Sequence, residues 1–118
     1  MEDNLYFLFS FSCDIEDDEE KTKEIDCKFP TTFKKDEGQA FAAFLGDLYD
    51  DFIEKHNLEH KYGIHDFSGD SFSVGYTTYE VAEDKIDELM KIWKDKFIHE
   101  GKTSPDVEII KTEKIIEE

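Results

Sequence analysis

Three groups of side chains in this sequence have types and spacings that could do chemistry: histidines, clustered carboxylates and two thiols. His56, His60 and His65 stand four and five residues apart, with Asp66 beside the last. Two histidines at i, i+4 on one helix face can share a zinc ion. Here the pair straddles the helix end expected at Asn57, so these residues read as polar members of a helix-to-strand connection. A metal-dependent regulator or small enzyme built on them is the alternative reading. Asp14, Glu16, Asp17, Asp18, Glu19 and Glu20 form an acidic run. A calcium loop needs acids at alternate positions, a central glycine and a terminal glutamate. No glycine lies between Asp14 and Glu24, so the run reads as a solvated loop or a partner contact. Cys13 and Cys27 fall on apolar faces, where thiols pack and stay inert.

Motifs for catalysis are missing. The sequence contains no Gly-x-Ser-x-Gly elbow, no P-loop and no dinucleotide fingerprint. All cations are lysines, so the bidentate clamps that arginine makes on phosphate or carboxylate substrates are absent too. In so acidic a chain a pair of carboxylates can be picked almost anywhere, and no pair stands out for acid–base work. The expectation is a protein without catalytic residues, metal or cofactor.

The elements that position these residues follow from periodicity. Residues 5–15 alternate: Leu5, Phe7, Phe9, Phe11, Cys13 and Ile15 point one way, which predicts a strand with a buried face. Residues 16–23 have no apolar member and predict a charged hairpin loop. Ile25, Cys27 and Phe29 resume the alternation, and Pro30 is expected to end it. Pairing residues whose numbers sum to 40 would set Cys13 opposite Cys27 as free thiols.

Phe41, Phe44, Leu45, Leu48, Tyr49, Phe52 and Ile53 form a helical stripe over residues 36–57, with Asp36 and Gln39 as a capping box. Asp47, Asp50, Asp51 and Glu54 fall on its other side. A hairpin over 61–78 with a turn at Gly69–Asp70 is expected next. A helix over about 79–99 follows, through Ala82, Ile86, Leu89, Met90, Trp93 and Phe97, with Thr77 and Glu80 as a capping box and Gly101 as its stop. Val107, Ile109 and Lys111 predict a last strand, and residues 117–118 a frayed tail. The order is β-β-α-β-β-α-β in one domain, 1–118. It predicts an α+β, ferredoxin-like β-α-β-β-α-β sandwich with an additional N-terminal hairpin strand and two helices on one face of a mainly antiparallel sheet.

Composition then bounds the function. The 118 residues hold 31 Asp and Glu against 14 Lys, a formal charge of −17, with 11 Phe, five Tyr and one Trp to build a core. Direct nucleic-acid binding is unfavourable at this charge. No apolar run approaches a membrane span, and the first residues are acidic where a signal peptide is basic, so a cytoplasmic protein is expected. Solubility needs a net charge of only about 2–8 in magnitude. The surplus suits an acidic surface steered into a basic cleft. In size, charge and lack of catalytic motif the chain is similar to small acidic inhibitors: immunity proteins that neutralise nuclease toxins, and phage-encoded DNA mimics that disable restriction or CRISPR effectors. The expected partner is a basic, nucleic-acid-acting protein. Two patches are expected to meet it: Asp14, Glu16, Asp17, Asp18, Glu19 and Glu20, and the helix face Asp47, Asp50, Asp51 and Glu54. An acidic housekeeping binding domain is the bland alternative.

Overall fold

In a computed structural model, residues 4–15, 18–57, 64–67, 73–78 and 82–117 are described. The strands are β1 (Asn4–Ile15), β2 (Asp18–Lys34), β3 (Ile64–Phe67), β4 (Ser73–Thr78) and β5 (Ile110–Glu117), and the helices α1 (Gly38–His56) and α2 (Ile86–His99). They form an α+β molecule with a five-stranded sheet of order β3-β4-β1-β2-β5. β1 is antiparallel to β2 and parallel to β4, and the pairs β2–β5 and β3–β4 are antiparallel. The extra N-terminal strand therefore lies in the middle of the sheet.

The most apolar strand takes the most buried place. Leu5, Phe7, Phe9 and Phe11 are almost fully buried on one face of β1, and Ile25, Cys27 and Phe29 continue that face on β2. Both helices cover it. Trp93 of α2 stacks 5.1 Å from Phe7 and lies 4.2 Å from Phe52 of α1, while Tyr76 of β4 donates its hydroxyl to the Leu45 carbonyl at 2.9 Å. Each such aromatic removed from water contributes about 1.5–3 kcal/mol. At Gly75 a Cβ would stand 1.7 Å from the Leu8 carbonyl oxygen, so β1 and β4 approach this closely only with glycine there.

The first hairpin differs from the expected one. Its register sums to 36: Phe7 faces Phe29, Phe9 faces Cys27 and Cys13 faces Lys23. Cys13 and Cys27 share the buried face as free thiols but are not cross-strand partners. The expected sum of 40 would have set Asp14 opposite Asp26. In the observed register Ser10 meets Asp26 and donates a 2.7 Å hydrogen bond to it, so a like-charge pair is replaced by a bond. The shift of four keeps every side chain on its face. The charged loop is also shorter than expected, because residues 18–23 belong to β2. Lys21 and Lys23 pair there with Glu117 and Glu113 of β5, and a backbone ladder needs no apolar side chains.

Pro30 does not end β2. Its carbonyl accepts from the Thr103 hydroxyl, and Thr32 N–H donates to the Lys102 carbonyl at 2.9 Å. The Pro30 nitrogen thus faces away from β1, where no ladder bond is lost. At α1, Lys34 N–H donates to the Glu37 carboxylate at 2.8 Å, in place of the expected Asp36–Gln39 box. Asn57 closes the helix in the left-handed region, φ 55°. α2 begins later than expected, after a 3₁₀ turn Glu83–Lys85, with Ala82 exposed and Thr77 inside β4. Ile86, Leu89, Met90, Trp93 and Phe97 are buried as its stripe predicts. At its end Gly101 takes φ 71°, with Gly101 N–H bonded to Ile98 O and Lys102 N–H to Phe97 O, a Schellman motif.

The last strand is displaced too. Ser104 starts a turn, its carbonyl accepting from Val107 N–H and its hydroxyl from Asp106 N–H. Lys94 of α2 donates to the Val107 carbonyl. Val107 and Ile109 pack against the core ahead of β5, which starts at Ile110 and includes Glu117 of the expected tail. The expected turn at Gly69–Asp70 and Glu80 of the second capping box lie outside the described residues. No helix among the described residues is long and apolar enough to cross a membrane.

Candidate partner-binding surface

The helix phase of α1 sets its carboxylates. Phe41, Leu45 and Phe52 are buried against the sheet, so residues opposite them in the 3.6-residue turn must face out. Asp47, Asp50, Asp51 and Glu54 are all exposed on that outer side. They fall at i, i+3, i+4 and i+7, which places four charges within about 10.5 Å of helix, one per about 3.5 Å. One strand of duplex DNA carries a charge every ~3.4 Å of axis.

Among the described residues, a lysine reaches this row at one point. Lys96 of α2 stands 3.2 Å from the Asp51 carboxylate, a contact between helices that sequence spacing within α1 does not reveal. Asp47, Asp50 and Glu54 have no ion pair among the described residues. Other lysines pair with other acids: Lys85 with Glu88, Lys23 with Glu83 and Glu113, Lys111 with Asp87. The Lys23 ammonium is held above its ordinary pKa, first by its hydrogen bond to Glu83.

The second expected patch is placed only in part. Glu16 and Asp17 lie outside the described residues. Asp14 is in β1 opposite Thr22, and Asp18 is in β2 opposite Ile15, as backbone positions. Their side chains, and that of Glu19, are outside the described set. Glu20 is exposed on β2. α1 starts where β2 ends, and the chain enters β3 opposite Thr78, which stands beside Phe11 and so at the level of Ile25. From Ile25 the hairpin runs on for seven residues to Asp18, about 23 Å. The two acidic patches are therefore separate places on the molecule.

The histidine region lies mostly outside the described residues. His60 and the side chains of His56 and His65 lie outside the described residues; the backbone of His65 pairs with Thr77. Among the described residues no group of three or more His, Cys, Asp or Glu is placed to hold a metal ion. Cys27 is deeply buried, and burial pushes its thiol up to about 11 from 9.0, where it is a poor nucleophile at neutral pH.

One surface went unread in the sequence. The three exposed large hydrophobic residues found among the described residues, Ile110, Ile115 and Ile116, all belong to β5. Its signal was the doublet Ile115–Ile116, since neighbours in a strand point to opposite faces and cannot both be buried at a sheet edge. No family model, no curated protein and no solved structure matches the chain.

Proposed function

We propose that this protein is a non-catalytic acidic inhibitor that docks in the basic cleft of a nucleic-acid-acting protein. It acts in the cytoplasm, as a toxin-neutralising immunity protein or a phage-encoded anti-CRISPR or anti-restriction DNA mimic. Its architecture is read as a ferredoxin-like β-α-β-β-α-β plan, β2-α1-β3-β4-α2-β5, with β1 inserted between the two central strands. The observation that carries the functional reading is the carboxylate row of α1. It is held on a rigid helix, points away from the core, and repeats at the linear charge density of one DNA strand. A net charge of −17 adds a long-range field that speeds encounter with a basic surface and repels nucleic acid itself.

Affinity capture from the source cells, followed by association kinetics, tests it. Changing Asp47, Asp50 and Asp51 to Asn should lower the association rate. The separate set Asp17→Asn, Asp18→Asn and Glu19→Gln asks whether the hairpin tip shares the role. Raising salt from about 0.1 to 1 M should slow association as the Debye length falls from about 10 to 3 Å. A captured partner with an apolar or acidic contact surface, or binding indifferent to salt and to all six changes, removes the reading.

A further inference from the structure

We infer that the free edge of β5 is a second docking element, which takes an extended Lys- or Arg-bearing segment of the partner as an added antiparallel strand. This rests on the reading of the protein as an inhibitor of a basic partner, and it names how that partner is gripped.

The direction of the backbone groups comes from β2. Pro30 O and Thr32 N–H bond to the segment after α2, whereas Thr31 O accepts from Asn4 on the β1 side. Even-numbered residues of β2 thus turn their polar groups toward β5. The register Lys28–Ile110, Asp26–Thr112, Glu24–Lys114 and Thr22–Ile116 makes these the bonded pairs. The N–H and C=O groups of Lys111, Glu113, Ile115 and Glu117 are then left on the outer edge, with no backbone partner among the described residues. A row of such groups is a template for another strand.

Two lysines and two glutamates stand on this edge, yet it also carries exposed apolar side chains. Ile110, Ile115 and Ile116 are 45%, 61% and 37% exposed, and no proline interrupts the eight residues. Unmet backbone groups call for an extended chain, and the side chains say which kind. Glu113 and Glu117, each 3.5 Å from a lysine of β2, flank Ile115 on one face with Lys111 beyond, while Ile110 and Ile116 sit on the other with Lys114 between them. A strand with basic residues opposite the two glutamates and apolar ones opposite the isoleucines fits both faces.

A second copy of the chain fits poorly. The two symmetric registers that would pair seven residues set Glu113 against Glu113 or Lys114 against Lys114. Both would also bring two bodies of charge −17 together.

Titration of the full chain with a peptide of about nine alternating valines and lysines, long enough to cover β5, tests the inference. Its controls are the same peptide N-methylated at every second amide and a glutamate counterpart. The unmethylated lysine peptide should bind and should slow hydrogen exchange at Lys111, Glu113 and Ile115. N-methylation keeps the charge but removes edge hydrogen bonds, and should weaken binding about tenfold or more. Ile115→Pro removes one outward N–H without touching the β2 ladder and should do the same with circular dichroism unchanged. If that variant fails to fold, the methylated peptide decides alone. Equal binding of methylated and unmethylated peptides overturns strand addition, and leaves the charge reading with α1. Equal binding of the lysine and glutamate peptides overturns the basic occupant and counts against the charge reading. Sedimentation of the chain alone as a dimer that Ile115→Pro dissociates gives the edge to a second copy and also overturns the inference.

Discussion

β1 and β5 lie in one sheet, yet β1 is packed through its bulky residues while the isoleucines of β5 stay at the surface. β1 has ladder partners on both sides, and Leu5, Phe7, Phe9 and Phe11 are at most 1% exposed. Among the described strands β5 has a partner on one side, and every residue in it is exposed. What separates them is the period. β1 places its bulky residues two apart, so one face is complete and the helices can cover it. β5 places Ile115 beside Ile116, so no face is complete and none is covered. Strict alternation sends a strand to the centre, and broken alternation leaves it at the edge.

The largest expected effect is at the covered face. Phe7 touches Phe9, Phe29, Trp93 and Phe97 with ring centroids between 4.9 and 6.1 Å. Phe7→Ala removes one ring from that cluster and leaves a cavity, and should lower unfolding free energy by ~3–5 kcal/mol. Urea denaturation of the variant measures it. A loss below ~1 kcal/mol would mean that the centre of the sheet is no better packed than its edge.

A second expected effect uses Cys27, opposite Phe9 on the same face. Burial raises its folded pKa to about 11 from 9.0. The unfolded chain therefore gives up the thiol proton first as pH rises, and the native state holds it. Stability attached to this group is present below about pH 9 and lost toward pH 11, on the order of 2 kcal/mol. Stability curves of the native chain and Cys27→Ala from pH 8 to 11 should converge as pH rises, since the alanine variant lacks this term. Parallel curves would place the thiol in water.

These contrasts also show what could be read from residues alone. The buried stripes of both helices were legible, because the period of 3.6 is repeated through Phe41, Leu45 and Phe52 and through Ile86 to Phe97. So was the buried face of the first hairpin, but its register was not. Sums of 36 and 40 put the same side chains on the same face, and periodicity cannot separate them. What decides is local: Ser10 bonding Asp26, and no Asp14–Asp26 clash. The charged residues 18–23 looked like loop because they lack apolar members. Their strand pairing depends on Glu113 and Glu117, almost a hundred residues away in sequence. The start of β5 was misread because Val107 and Ile109 alternate, while the turn at Ser104 and the Lys94 bond fix them outside the strand. The exposed acids of α1 were legible from helix phase, but Lys96 reaching Asp51 was not, since it arises from packing of two helices.

The smallest expected effect is the sharpest check on the edge. Ile116 stands opposite Thr22 on the face that the helices leave uncovered, 37% exposed. Threonine keeps the β-branch that suits a strand and gives up part of an already wet surface. Ile116→Thr should therefore change stability by no more than ~0.5 kcal/mol, with thermal and urea midpoints close to those of the native chain. If the isoleucines of β5 are instead core that happens to lie near the surface, the cost should approach the 1 kcal/mol or more of a buried large-to-small change. A cost of that size would make β5 a structural wall, and its apolar residues would need no partner to explain them. A near-zero cost leaves three isoleucines that the fold does not use on a strand whose outer backbone groups have no backbone partner among the described residues, the condition that an added strand requires.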